Sequence, residues 1–240
     1  GGGSIRVPAA ATGIVGFKPS APRLAAQGFL TTSLADTAFL HQLDPAPGRR
    51  RVGVLTQPLF FGTDVDEVML TAVAGAADRL REAGHEVVEV SAYPGSEDTF
   101  AAFRTIFTAK LVGLPGPADG IVGWLRAHGR AVTRDRLVAA EKHADRLGPM
   151  LADYWGVDAL LTPMTTTDPP PIGHFAALPP EENFLAQTRW SPWGSLFNVT
   201  GRAAVSLPWP VPGHPPVGVH LGALTLDDAA LLHLAGELHR

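Results

Sequence analysis

The 240-residue chain contains no cysteine, which excludes disulfide bonds, a thiolate nucleophile and thiolate metal sites. Lysine is scarce as well, because it occurs only at Lys18, Lys110 and Lys142. The nine histidines have no carboxylate or thiolate neighbours at the spacing of metal ligands. The sequence therefore predicts neither a metal site nor a cofactor.

Long apolar runs and basic clusters are also missing. No segment approaches the roughly 20 apolar residues that a membrane-spanning helix needs, and the first residues lack the charged and apolar regions of a signal peptide. Charged residues make up 18% of the chain, the net charge is −4, and the basic residues are spread out, which disfavours a nucleic-acid surface. We therefore expect a soluble, cytoplasmic protein whose partner is a small molecule.

The hydrophobic pattern that is present predicts an α/β fold. Residues 51–56 ("RVGVLT") predict a buried strand, residues 65–83 an amphipathic helix, and residues 85–90 ("HEVVEV") a second strand. This order favours a parallel pair joined by a right-handed crossover. Further helices are expected at residues 34–43, 97–111, 134–155 and 226–238, and further strands at residues 157–163, 203–208 and 216–222.

Proline marks two less regular places. Pro149 is expected to kink or split the helix of residues 134–155. The proline-rich residues 165–183 predict either a linker between domains or a loop that lies over a functional site. Because we find no internal repeat and no strong domain boundary, we expect residues 1–240 to belong to one domain.

The first four residues, "GGGS", have three interpretations. Successive glycine N–H groups can form an anion site, but a phosphate-binding loop needs a lysine and a second hydroxyl residue where Ile5 and Arg6 follow. The same N–H groups can form an oxyanion hole beside Ser4 as an attacking group. The third interpretation is a flexible Gly-Ser linker, and these four residues alone favour it.

The residues that follow favour the oxyanion-hole interpretation over the linker. The segment "GGSIRVPAAATGIVGFKPS", residues 2–20, resembles the nucleophile segment of the amidase signature family in both of its halves and in their spacing. "SLADTAFL", "RVGVLTQP" and "FNVTGRAAVSLP" resemble later landmarks of the family, in the same order. The resemblance covers nearly all 240 residues. It implies an amidase-signature-like mixed β-sheet flanked by helices, with residues 1–240 as the C-terminal part of a single domain whose N-terminal portion is missing.

The resemblance also implies a reaction, the hydrolysis of a carboxylic amide by a Ser-Ser-Lys triad. Carried over by position, Ser4 is the nucleophile that forms an acyl-enzyme. Backbone groups of the three preceding residues would form the oxyanion hole, namely Gly1, Gly2 and Gly3. Arg6 is expected to anchor the loop rather than to clamp substrate. Trp190 and Trp193 are candidate pocket residues, although a core position is the favoured interpretation for both.

The chain departs from the family pattern at the catalytic base. The family's lysine and bridging serine lie upstream of the nucleophile, in a portion that this chain does not contain. Lys18 matches a structural lysine of the family's Lys-Pro turn, so it does not replace the base. We therefore expect the upstream half to be required for the full triad and the chain alone to be inactive or feeble. Two alternatives stay open: an incomplete fragment or subunit with a binding or assembly role, and the amidase subunit of a tRNA-dependent amidotransferase. The amide substrate is not identified.

Overall fold

The computed structural model describes residues 2–21 and 27–238, which alternate between helices and strands. The elements in chain order are α1 (Arg6–Thr12), β1 (Val15–Lys18), β2 (Phe29–Thr31), α2 (Leu34–His41), β3 (Arg51–Val54), α3 (Glu67–Glu82), β4 (Glu86–Glu89), α4 (Ser96–Leu111), α5 (Gly120–Arg130), α6 (Arg134–Trp155), β5 (Ala159–Pro163), a 3-10 helix (Phe175–Ala177), α7 (Pro180–Trp190), α8 (Gly194–Val199), β6 (Ala204–Val211), β7 (His214–Ala223) and α9 (Asp228–Glu237).

The strands form one mixed sheet in the order β2-β1-β6-β7-β5-β3-β4. Strand β3 runs parallel to both β4 and β5, whereas β5–β7, β7–β6, β6–β1 and β1–β2 are antiparallel pairs. The predicted strand-helix-strand unit is confirmed, because β3, α3 and β4 form the parallel pair and its connecting helix. The predicted mixed sheet flanked by helices is confirmed as well.

Two hydrophobic cores lie on opposite faces of the sheet, because side chains alternate along each strand. In β5, Ala159 and Leu161 belong to a core that also contains the buried residues of α3 and α9. Leu160, between them, belongs to a second core built by α4, α6 and α8. A helical layer therefore covers each face.

Glycines in the strands let α1 lie directly on the sheet. A Cβ at Gly16 of β1 would lie 2.5 Å from the Cβ of Ala9, and one at Gly218 of β7 would lie 2.4 Å from the Cβ of Ala10. Any side chain at these two glycines would push α1 away from the sheet. The small residues of the sequence motif and the strand glycines thus fix the position of the segment that contains Ser4.

Several elements differ from the expectations. Helix α6 runs unbroken from Arg134 to Trp155 with Pro149 inside it, because packing of its buried face outweighs the lost hydrogen bond. Helix α5 was not predicted because three of its eleven residues are glycine. One of them, Gly129, lets α5 approach α4, since a Cβ there would lie 2.2 Å from the Thr108 carbonyl oxygen. The proline-rich region ends in α7, with Pro180 in its first turn, where proline is tolerated.

The described part of the chain contains no helix with the length and apolarity that a membrane crossing demands.

Candidate active site

Ser4 is the exposed residue of a turn of residues 2–5 that leads into α1. The Gly3 carbonyl accepts a hydrogen bond from Val7 N–H at 2.8 Å, which ties the turn to the helix. Within residues 2–21 and 27–238, the backbone N–H groups of Gly2, Gly3 and Ser4 donate to no protein acceptor. The turn therefore presents one hydroxyl and three unused donors. Gly1, the remaining predicted oxyanion residue, lies outside the described residues.

The turn consists of glycines because it is pressed against the start of α8. A Cβ at Gly2 would lie 2.7 Å from both Cα and Cβ of Ser195, and a Cβ at Gly194 would lie 2.8 Å from the Gly2 carbonyl oxygen. A Cβ at Gly3 would lie 2.7 Å from Cγ2 of Val7. The backbone of the turn and the backbone of α8 thus approach each other at positions where only glycine fits.

A cavity of about 290 Å³ opens beside Ser4. Helices α1, α4, α5, α7 and α8 contribute to its wall. None of the described residues that line it is charged. The lining residues are Gly2, Gly3, Ser4, Val7, Pro8, Phe103, Ile121, Leu125, Phe184, Gln187, Thr188, Trp190, Ser191 and Ser195.

The two candidate tryptophans have different positions. Trp190 lines the cavity, and its Nε1 donates to the Thr167 carbonyl at 3.1 Å. Phe175, from the proline-rich region, packs against the Trp190 ring with centroids 5.6 Å apart, which favours the loop interpretation of that region. Trp193 is wholly buried in the second core and donates to the Gln57 carbonyl at 3.0 Å. It is not among the described residues of the cavity wall.

Arg6 holds the Ser4 segment to two other parts of the chain. The side chain is 1% exposed, and its guanidinium donates to the Gly194 carbonyl at 3.0 Å and to Oδ1 of Asn198 at 2.5 Å. A third hydrogen bond, of 2.9 Å, reaches Nε2 of His220. These contacts join α1 to α8 and β7. Arg6 does not line the cavity in the described structure, so its geometry fits a positioning role.

His220 continues this buried network as a neutral side chain. Because Arg6 can only donate, Nε2 of His220 is the acceptor, and Nδ1 carries the proton that points to Oγ1 of Thr162, 3.0 Å away. The Thr162 hydroxyl in turn donates to the Pro163 carbonyl at 2.8 Å. Burial, and then the charge of Arg6, hold the pKa of His220 well below its usual value. Burial also lowers the pKa of Arg6 to about 9, so Arg6 stays charged at neutral pH.

Lysine does not supply a base for Ser4 within the described residues. Lys18 is buried, and its Nζ donates to the carbonyls of Arg202 at 2.8 Å and Pro19 at 3.1 Å. Burial, and to a lesser degree Arg6, lower the pKa of Lys18 to about 7. Neither a lysine nor a histidine is among the described residues of the cavity wall. The described residues also contain no group of three or more histidine or acidic side chains that could hold a metal.

Sequence reasoning missed most of the cavity wall. Gln187 and Ser195 carry no local motif, and Phe103 and Phe184 come from helices that are distant in sequence. The side chain of Asn198, in the segment "FNVTGRAAVSLP", accepts a hydrogen bond from Arg6. Only the packing of α4, α7 and α8 against the Ser4 turn brings these side chains together.

Comparisons with known proteins point to one family. Residues 1–38 match the family model described as Amidase. The chain is 30% identical over 284 residues to a Mycobacterium tuberculosis protein named as the amidase AmiC, and 29% identical over 281 residues to one named as the amidase AmiB2. Each alignment covers 99% of this chain and 59% of the relative. The structure of 6-aminohexanoate cyclic dimer hydrolase complexed with substrate superposes with a TM-score of 0.81 at 22% identity, covering 99% of this chain and 62% of that one.

The fold and the match of residues 1–38 to the Amidase family model together define an α/β protein with the amidase signature architecture. The resemblance to the amidase signature family is confirmed, and the chain is a relative of proteins named as amidases. It spans about three fifths of the length of those relatives, 59% in both alignments.

Proposed function

We propose that this chain carries the nucleophile and part of the active site of a serine amidase, which hydrolyses a carboxylic amide through an acyl-enzyme. The observation that carries this proposal is the position of Ser4. Its hydroxyl belongs to the exposed residue of a glycine turn, beside unused backbone N–H groups and at the wall of a cavity. The same turn lies in the segment that matches the Amidase family model.

In the proposed reaction, Oγ of Ser4 attacks the amide carbonyl carbon while a base removes the hydroxyl proton. The negative charge that develops on the carbonyl oxygen is stabilised by the N–H groups of Gly2, Gly3 and Ser4, with Gly1 completing the oxyanion hole. Loss of one such donor typically slows an enzyme by about 10²- to 10³-fold. The C–N bond then breaks as the leaving amine takes up a proton, and water releases the acyl group as a carboxylic acid.

We propose that the base and a bridging serine come from polypeptide outside these 240 residues, and that the chain is the C-terminal part of a single domain. A serine hydroxyl is a poor nucleophile without a base, and no lysine or histidine lines the described cavity wall. The relatives are also longer than this chain. The 240 residues alone are therefore expected to hydrolyse amides feebly or not at all.

Exposed apolar side chains on β2 and α2 support the presence of further polypeptide. Phe29 and Leu30 of β2, an edge strand of the described sheet, and Phe39 and Leu40 of α2 are all exposed, and Phe39 is 81% exposed. Exposed apolar surface is a common feature of sites at which other polypeptide packs. We propose that the polypeptide which the relatives carry beyond the matched region packs here.

Turnover of the Ser4→Ala variant tests the proposed function. In the form of the protein that hydrolyses amides, Ser4→Ala should lower kcat by more than about 10³-fold, because the attacking group is removed. Ser91→Ala is the matched control, since Ser91 is exposed and its hydroxyl forms no described hydrogen bond; its kcat should be unchanged. Wild-type turnover by the Ser4→Ala protein would overturn the proposed function. Brisk hydrolysis by the 240 residues alone would overturn the proposal that the base comes from polypeptide outside them.

A further inference from the structure

The part of the Ser4 cavity wall that the described residues form carries no charge that could pair with a charged substrate. Seven of its described side chains are apolar, and the polar ones, from Ser4, Gln187, Thr188, Ser191 and Ser195, are uncharged. An ionised group that enters such a cavity loses its hydration and gains no counter-charge, which costs several kcal/mol unless the group is neutralised. The cavity therefore favours uncharged groups.

The volume of the cavity and the aromatic residues of its wall further limit the groups that it can bind. A cavity of roughly 150 Å³ suffices to hold benzene, and this cavity has about 290 Å³. Phe103, Phe184 and Trp190 supply aromatic surface around it, and aromatic rings pack favourably edge-to-face or offset against one another. A phenyl group with a short linker, or an aliphatic chain of about six carbons, matches this space.

Ser195 differs from the other polar residues of the wall. Thr188 and Ser191 already donate their hydroxyl protons, to the carbonyls of Phe184 and Met164 at 2.9 Å each. The Nε2 of Gln187 donates to Oδ1 of Asn183 at 2.5 Å. The Oγ of Ser195, in contrast, is buried and has no hydrogen-bond partner among the described residues, and Ser195 is 4% exposed and lines the cavity. A buried hydroxyl without a partner typically costs about 1–3 kcal/mol, a cost that a bound acceptor would remove.

The position of Ser195 relates this hydroxyl to the reacting group. Gly2 packs so closely on Ser195 that a Cβ on Gly2 would lie 2.7 Å from its Cα. Ser195 is therefore a neighbour of the turn that presents Ser4, and both residues line the same cavity.

We propose that the cavity selects amides with an uncharged aromatic or medium-chain aliphatic acyl group, and that the Ser195 hydroxyl donates a hydrogen bond to their carbonyl oxygen. This inference rests on the proposed function, because it assigns the acyl group of that substrate to this cavity. It assigns Ser195 to substrate binding, a role that its sequence surroundings do not indicate.

Equilibrium binding tests the selectivity. The Ser4→Ala protein, which should not consume amides, is titrated by ligand-observed NMR with phenylacetamide and hexanamide. Two charged analogues of similar length serve as the comparison, 6-aminohexanamide and the monoamide of adipic acid. The neutral amides should bind at least about tenfold more tightly than either charged one, which corresponds to about 1.4 kcal/mol. Equal affinity for all four amides overturns the inference.

A second comparison tests Ser195. Ser195→Ala should weaken phenylacetamide binding by about three- to tenfold, the usual net value of one hydrogen bond. Ser91→Ala, whose exposed residue is not among the described residues of the cavity wall, should change it by less than about twofold. Removal of the unpaired Ser195 hydroxyl should leave the thermal unfolding midpoint unchanged or higher, whereas a structural role would lower it. Unchanged affinity in a folded Ser195→Ala protein overturns the assignment.

The two proposals fail in different experiments. Selective binding of neutral amides supports the cavity inference whatever the Ser4→Ala turnover experiment gives. Equal binding of charged and neutral amides overturns it even if Ser4→Ala abolishes turnover.

Discussion

Replacement of Arg6 with methionine tests how the Ser4 segment is held. Arg6 is one of the largest fully buried side chains, and it donates to the Gly194 carbonyl, Asn198 and His220. Methionine has a similar length but no donor. The variant therefore removes three buried hydrogen bonds and disconnects α1 from α8 and β7.

The expected loss of stability follows from these three contacts. An acceptor that loses its partner in a protein interior costs about 1–3 kcal/mol. Part of this loss is offset because the guanidinium no longer has to be buried, and the lowered pKa of Arg6 indicates that burial disfavours its charge. We expect a net loss of about 2–4 kcal/mol in the free energy of unfolding. For a chain of this size, that corresponds to a fall of about 5–15 °C in the unfolding midpoint.

Thermal and urea unfolding followed by circular dichroism measure this loss. Arg49→Met is the matched control, because Arg49 is exposed and forms no described hydrogen bond; it should change stability by less than about 0.5 kcal/mol. Wild-type stability of Arg6→Met combined with weakened amide binding would refute the positioning role. That result would mean that Arg6 contacts substrate.

Three further predictions concern the glycine turn and the buried bases. Gly2→Ala should cost about 1–3 kcal/mol and slow acylation, because its Cβ would collide with Ser195, whereas Gly62→Ala, with open space around it, should do neither. The urea midpoint of the wild type should fall from pH 7 to pH 5, because His220 binds a proton in the unfolded chain but, with its lowered pKa, does not in the folded chain. His220→Gln should reduce this fall in the urea midpoint. The free energy of unfolding should rise between pH 7 and pH 10, because folded Lys18 has a pKa of about 7 and unfolded lysine one of about 10.4. Lys18→Met should reduce this rise, and Lys142→Met, at an exposed position, should not. Equal dependence of stability on pH in all three proteins would contradict the lowered pKa of Lys18.

Local sequence signals predicted the elements that local interactions determine. The apolar period of α3 specifies one buried face, and the flanking strands β3 and β4 have their own short apolar runs. The start of α2 is also determined locally, because Oγ of Ser33 accepts a hydrogen bond from the Asp36 N–H at 3.1 Å. In α5, three glycines lower the intrinsic preference for a helix, and packing against neighbouring helices decides the outcome.

The candidate site likewise combines a local sequence motif with residues that only the fold brings together. The glycines and Ser4 form a contiguous motif, so the sequence alone was enough to single out this turn, and the role of Ser4 as the nucleophile stays a prediction. The cavity is built from α4, α5, α7 and α8, whose side chains meet only in the folded chain. Trp190 and Trp193 show the limit of prediction from sequence. They are identical residues in one short segment, yet Trp190 lies in the cavity wall and Trp193 in the core.

Acylation of Ser4 tests the central claim most directly. The amide-hydrolysing form of the protein is treated with p-nitrophenyl phenylacetate, quenched in acid and digested with trypsin, which cleaves after Arg6. Mass spectrometry should find the added acyl group on Ser4, in the peptide that ends at Arg6, and should find none in the Ser4→Ala protein. An acyl group on another residue, or undiminished acylation of Ser4→Ala, would contradict the assignment of Ser4 as the nucleophile.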